Sequence, residues 1–259
     1  MSQAGYVHGS TDEREVARLE KQADFTAGFT FSTLGLEAGQ RVLDLATGVG
    51  AMGARLQHPG LHVVGVDLSA TQLGAARKNH PTLPVLRGDA TGLPFADATF
   101  DRVHCSWLLE HVSDPVAVLR EVRRVLKPGA CCQFVEVDNA TLQLTPPSEA
   151  VTTLTRLLND AQVRGGGDPF IGARVEQVFA AAGFERLRVE RQQLVGSAAE
   201  PRFFQAFVDE FAEIYEGLDE SLGADLAPLI ARAAAEIRAL LHTPHASLRY
   251  TPVVVQAWR

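Results

Sequence analysis

Short β-rich runs at Arg41–Leu45, His62–Asp67, 84–88, 100–105 and 131–137 alternate with stretches of helical periodicity. Parallel strands need a crossover between them, so this alternation predicts an α/β domain on a largely parallel sheet. The first two runs and the last are apolar almost throughout, as strands covered on both faces must be. Start and stop signals bound the helices between them. Ser69 and Gln72 form a capping box, Ser113-Asp114-Pro115 supplies an N-cap with proline at the first helical position, and Lys127-Pro128-Gly129 ends that helix. Further strands are expected over 185–192 and 248–258.

Composition narrows the class. With 259 residues, 46% hydrophobic and 21% charged, the chain can bury a core and is not a disordered one. No apolar run approaches the ~20 residues a membrane helix needs, and residues 1–15 lack the apolar segment of a secretory signal. A net charge of −7 without a basic block argues against a nucleic-acid or anionic-membrane partner. Cys105, Cys131 and Cys132 fit neither a disulfide framework nor zinc spacing, so no metal is expected and a reduced, cytoplasmic setting is. Only Lys21, Lys78 and Lys127 among the 24 basic residues are lysines, a bias that fits a GC-rich bacterial genome.

Helical stripes lie outside the alternating region. Ser10 and Glu13 form a capping box ahead of Val16, Leu19 and Ala23. Phe203, Phe207, Phe211, Ile214 and Leu218 mark one amphipathic helix, and Leu226, Ile230, Ala233, Ile237 and Leu241 a second. The expected division is an N-terminal helical lid over 1–37, a core over 38–197 and 246–259, and a helical cap inserted at 198–245. The Phe-rich face suits either an apolar acceptor pocket or a homodimer interface.

Chemistry concentrates where the first strand turns. Gly48, Gly50 and Gly53 satisfy G-x-G-x-x-G, and Asp67 follows Gly48 by 19 residues at the end of the second strand. Both features match a nicotinamide-dinucleotide fingerprint, so an NAD(P)-dependent oxidoreductase is one reading. Asp44, inside the strand, points elsewhere, because a carboxylate beside the turn repels pyrophosphate and suits a positively charged cofactor. Gly88-Asp89-Ala90 closes the third strand with a carboxylate suited to an adenine amino group. Neither Tyr6, Tyr215 nor Tyr250 has a lysine four residues on, so the short-chain reductase dyad is absent.

The ordered series 42–50, Val66-Asp67-Leu68-Ser69, 88–95, Phe100-Asp101, Trp107-Leu108-Leu109-Glu110-His111 and 124–129 resembles the class I S-adenosylmethionine-dependent methyltransferases. The resemblance implies a Rossmann-like seven-stranded mixed sheet, its last strand antiparallel, flanked by helices and topped by a helical cap. It implies S-adenosylmethionine as cofactor, with Ala46, Thr47, Gly48 and Gly50 lining its methionine and ribose. Asp44 would lie behind the turn, Asp67 would take the ribose hydroxyls, and Leu68 would pack on adenine. Asp89 and Ala90 would read the adenine edge, Ser106 would meet the methionine portion, and Tyr6 would close over the cofactor. Ala46-Thr47 departs from the commoner Gly-Cys/Ser at the turn. His111, expected in the helix after the fourth strand, is the candidate general base. Alternatively it caps or packs that helix. Glu136, Asp138 and Asn139 resemble the ligands of metal-dependent catechol methyltransferases, but Cys105 and Ser106 stand where those enzymes need another carboxylate. The implied acceptor is a small, largely apolar metabolite; nitrogen, oxygen and carbon are all open as the methylated atom, with oxygen or carbon in natural-product biosynthesis the first expectation. A member repurposed for chemistry other than methyl transfer is the further alternative.

Overall fold

The computed structural model describes residues 13–218 and 224–259. Tyr6 and Ser10 therefore lie outside the described residues. In chain order the regular elements are α1 (Glu13–Leu34), β1 (Arg41–Leu45), α2 (Ala51–Leu56), β2 (His62–Asp67) and α3 (Ala70–Asn79). They continue with β3 (Val85–Arg87), β4 (Phe100–Ser106), α4 (Pro115–Val125), β5 (Leu126–Glu136) and β6 (Gln143–Thr145). Next come α5 (Glu149–Arg164), α6 (Val175–Ala181), β7 (Arg186–Arg191), β8 (Leu194–Ser197) and α7 (Pro201–Glu216). The chain ends with α8 (Ala227–Ala239), β9 (Ser247–Tyr250) and β10 (Val253–Trp258).

The main sheet has seven strands in the order β3-β2-β1-β4-β5-β10-β7. The first five run parallel, and β10 lies antiparallel between β5 and β7. Its direction reverses at β1, where β2 leaves to one side and β4 to the other, and a crevice opens at such a switch point. The sheet's apolar centre, including Leu43, Val66, Val103, Cys105 and Phe134, is fully buried under α4 and α6 residues such as Val118, Leu119, Val122 and Phe179. Capping follows the sequence: the Ser69 hydroxyl accepts from the Gln72 amide at 3.2 Å, and the Asp114 carboxylate accepts from the Ala117 amide at 2.9 Å.

The 248–258 run is not one strand, because Pro252 cannot donate to a ladder. The chain breaks at Thr251-Pro252, and β9 pairs instead with β6 and β8 in a separate three-stranded antiparallel sheet. The N-terminal helix continues to Leu34, docked by side chains of the sheet rather than by an apolar stripe alone. The Gln133 amide donates to Thr30 O at 2.7 Å, Arg102 Nε to Leu34 O at 3.0 Å, and Gln256 to Thr33 O. These bonds capture carbonyls of the last turns, which a helix end leaves unpaired. A helix the sequence reading did not separate, α5, packs against α8, which also packs against α7.

Candidate active site

A cavity of about 860 Å³ opens at the switch point and runs from the ends of β1, β2 and β4 to a chamber under α1, α5 and α7. Its floor is backbone-defined. Both β1 and β4 are followed directly by a left-handed residue, Ala46 at φ 56° and Trp107 at φ 59°. Non-glycine residues adopt this conformation at a cost and gather at functional sites. Gly48 follows Ala46 at φ 55°, so two left-handed residues in three turn the chain sharply over the end of the strand.

That turn is tied to β2 by Asp67, whose Oδ2 accepts from the Gly48 amide at 2.9 Å and whose Oδ1 accepts from the Ser69 amide at 2.8 Å. Each oxygen keeps lone pairs for a ligand. Burial pushes the Asp67 carboxyl above the usual aspartate range. Beside it Leu68 presents a 45%-exposed apolar side chain to the cavity. At the end of β3, Asp89 Oδ1 accepts from the Thr91 amide at 2.9 Å and hydroxyl at 2.7 Å, which lowers its pKa and keeps it ionised. Both bonds fall on one oxygen, leaving the other for a donor such as an exocyclic amine.

Asp44, Ala46, Thr47, Gly48, Asp67, Leu68, Asp89, Ser106 and His111 all line this cavity. Gly50 and Ala90 are outside the lining: Gly50 starts α2 at φ 82°, with the space for a side chain filled by Ala76, His80 and Leu83, and Ala90 packs on the core. Sequence reading missed His104, a fully buried histidine whose Nδ1 lies 2.9 Å from Asp44 Oδ1. The available signal was two polar residues, Asp44 and His104, in the middle of adjacent apolar strands; they stand in register.

The far chamber is mostly apolar, with Phe25, Trp107, Leu142, Leu158, Phe207 and Phe211 in its walls. The Phe-rich face of α7 turns inward: Phe203 and Phe207 stack on Phe25 at 5.3 and 5.6 Å between centroids. An ion network latches α1 to α7 across this roof, Arg18 bonding Glu15 and Glu210 at 2.7 Å each.

His111 is not in an α-helix. It closes a single 3-10 turn, Leu109–His111, because Trp107 in the left-handed region and Pro115 downstream leave no room for a longer helix there. Glu136, fully buried at the end of β5, fixes this turn by accepting from the Leu109 amide at 3.1 Å. Burial, with the Glu110 charge beside it, pushes the Glu136 carboxyl well above the usual range. The loop after α5 presses on the same turn, and a side chain at Gly167 would come within 2.3 Å of Glu110 O. His111 Nε2 lies 3.6 Å from Glu110 Oε1, and Gln162 Nε2 lies 3.4 Å from His111 Nδ1. The ring thus reaches the chamber with a carboxylate beside it that would stabilise an imidazolium. Glu136, Asp138 and Asn139 form no metal cluster: among the described residues no group of three or more His, Cys, Asp or Glu could hold a metal ion.

Residues 43–134 match the family Methyltransf_11, methyltransferase domain, and the strand order is the mixed seven-stranded one that the resemblance implied. Among similar proteins, demethylmenaquinone methyltransferase of Beutenbergia cavernae is 45% identical over 118 residues, 46% of this chain and 47% of that protein. The chain spans about half the length of the curated relatives it matches. Among solved structures, phosphoethanolamine N-methyltransferase 2 of Haemonchus contortus superposes with a TM-score of 0.58 at 21% identity, covering 91% of this chain and 52% of that one. The [4+2]-cyclase SpnF superposes at 0.57 and 23% identity, covering 97% and 85%. These two likenesses concern the fold. Among the described residues no helix is long and apolar enough to cross a membrane.

Proposed function

We propose that the chain transfers a methyl group from S-adenosylmethionine to a small, largely apolar acceptor, on an oxygen or carbon atom. The observation that carries this reading is the junction of two unlike compartments in one cavity: a carboxylate-lined turn at the strand ends and an aromatic chamber reached by His111. The carboxylates fit the donor. Asp67 offers two oxygens to a vicinal diol, Asp89 offers one to an adenine amine, Leu68 packs on the ring, and Asp44 favours a cation where a pyrophosphate would be repelled. An NAD(P)-dependent oxidoreductase is disfavoured on that last ground. The relatives named for demethylmenaquinone methylation support a quinone-like or phenolic ring as acceptor.

The bound donor would supply an electrophilic methyl on a sulfonium sulfur. The chain's task is to align acceptor, methyl carbon and sulfur, the largest part of the acceleration in such a displacement. Trp107, Phe207 and Phe211 would clamp an aromatic acceptor, α1 with the cap helices would exclude water, and His111 would take the acceptor's proton with Glu110 stabilising the imidazolium. We assign the described residues of 1–37 and 198–245 to the lid and cap in this scheme. A cytoplasmic location and action without nucleic acid or membrane belong to the same reading.

Incubating the full chain with methyl-labelled S-adenosylmethionine and a panel of phenols and quinols tests it. A product heavier by one methyl group is expected. Rearranged or cyclised product without mass gain would instead support the repurposed chemistry to which the SpnF-like fold also lends itself.

A further inference from the structure

We propose that His104 is a positioning residue that turns one end of the crevice into an acceptor-only wall, which selects the ammonium of an amino-acid-bearing nucleoside. The inference rests on the methyl-donor reading and assigns a part to a residue that reading does not use.

His104 sits in the middle of β4 between the fully buried Val103 and Cys105, a place where an apolar side chain would pack without cost. Instead an imidazole with no exposed surface bridges two polar groups. Its Nδ1 lies 2.9 Å from Asp44 Oδ1 and its Nε2 lies 3.2 Å from Ser106 Oγ. Asp44 is itself only 2% exposed, and its second oxygen accepts from the Thr47 hydroxyl at 2.5 Å. The Phe31 ring closes the outer side edge-on, 6.3 Å between centroids.

In the arrangement proposed, Asp44 accepts from Nδ1–H of His104, and Nε2 accepts from the Ser106 hydroxyl. With its hydrogen committed to His104, Ser106 offers lone pairs alone to a ligand. Thr47, its hydrogen committed to Asp44, does the same. Asp44, Thr47, His104 and Ser106 all line the cavity. Such a wall binds an ammonium and rejects a phosphate, because Asp44, Thr47 and Ser106 offer it only lone pairs. The opposite end, with Asp67 and Asp89, handles the nucleoside and is untouched by His104.

Calorimetry on the full chain separates the two ends. S-adenosylhomocysteine carries the ammonium, whereas 5′-methylthioadenosine keeps nucleoside and thioether but lacks it. His104→Leu is expected to weaken S-adenosylhomocysteine about 10- to 50-fold, the loss of charge-assisted bonds, and 5′-methylthioadenosine by less than about twofold. Ser106→Ala should act in the same direction with about a fivefold loss, and His104→Gln should recover most of the affinity by donating and accepting in place of the ring. Equal losses on both ligands, or none on S-adenosylhomocysteine, overturn the proposal. Should His104→Leu fail to fold, ¹⁵N shifts of the imidazole in the wild-type chain decide: a protonated Nδ1 with a bare Nε2 that moves in Ser106→Ala is expected, and a doubly protonated ring overturns it. A wild-type chain that binds neither nucleoside removes the methyl-donor reading itself, before any variant is made.

Discussion

The floor and the roof of the cavity are built by different means. The floor comes from strand ends within one α/β alternation: Asp44, Ala46 and Gly48 on one turn, and Asp67 and Leu68 on the next. Its geometry is set by backbone, through left-handed residues at 46, 48 and 107 and amide bonds to Asp67. The roof gathers Leu19, Phe25, Leu142, Leu158 and Phe211 from helices and a loop far apart in the chain, and holds them by packing and by the Arg18–Glu210 latch. A backbone-built floor tolerates few ligands; a packed roof can change its contents without changing the fold. On the proposed function, the same floor would serve many acceptors and substrate choice would belong to the roof.

That contrast can be broken by variants that should each affect one side only. His111→Gln is expected to reduce turnover about a thousandfold, within the range of general-base losses, with S-adenosylhomocysteine affinity kept within about twofold by calorimetry. Near-normal turnover would leave His111 a packing residue. On the floor, Asp67→Ala should weaken S-adenosylhomocysteine about 100-fold through two lost charge-assisted bonds and a loosened Gly48 turn. Because burial raises the Asp67 pKa, the wild-type affinity should also fall on acidification at a pH above that of an ordinary aspartate. Returning to the roof, Phe211→Ala should raise the acceptor KM about fivefold and leave donor affinity alone, since the loss is one wall of an apolar pocket.

The smallest effect tests the hinge between the two regions. Glu136 has a carboxyl pKa raised by burial, so the folded chain holds its proton more tightly than the unfolded chain does. Its stabilisation is then complete below the unfolded carboxylate pKa and is lost as pH rises toward the folded value. Glu136→Gln keeps the acceptor for the Leu109 amide without the charge. Its melting temperature relative to wild type should therefore rise by a few degrees between pH 5 and pH 8. A difference that shrinks with pH would mean that the fold stabilises the ionised form of Glu136 instead.

Legibility follows the same divide. Local rules found the floor: the capping serine, the glycine turn and carboxylates at strand ends are written in short stretches whose spacing fixes their geometry. They also marked α7 and α8, since helical stripes need no partner to be seen. Three-dimensional pairings were not local. Pro252 splits the last run, and only its neighbours β6 and β8 explain where Ser247–Tyr250 goes. His104 reads as one polar residue in an apolar strand until the register sets it against Asp44. His111 carried a helical spacing to Trp107 that the left-handed backbone at Trp107 cancels.

Side-by-side calorimetry of the full chain with S-adenosylhomocysteine and with NADH bears most directly on the crevice. Saturable binding of the thioether nucleoside, lost in Asp67→Ala, with no heat from the dinucleotide is the expected result. Tight NADH binding with none of S-adenosylhomocysteine would contradict the account at its root.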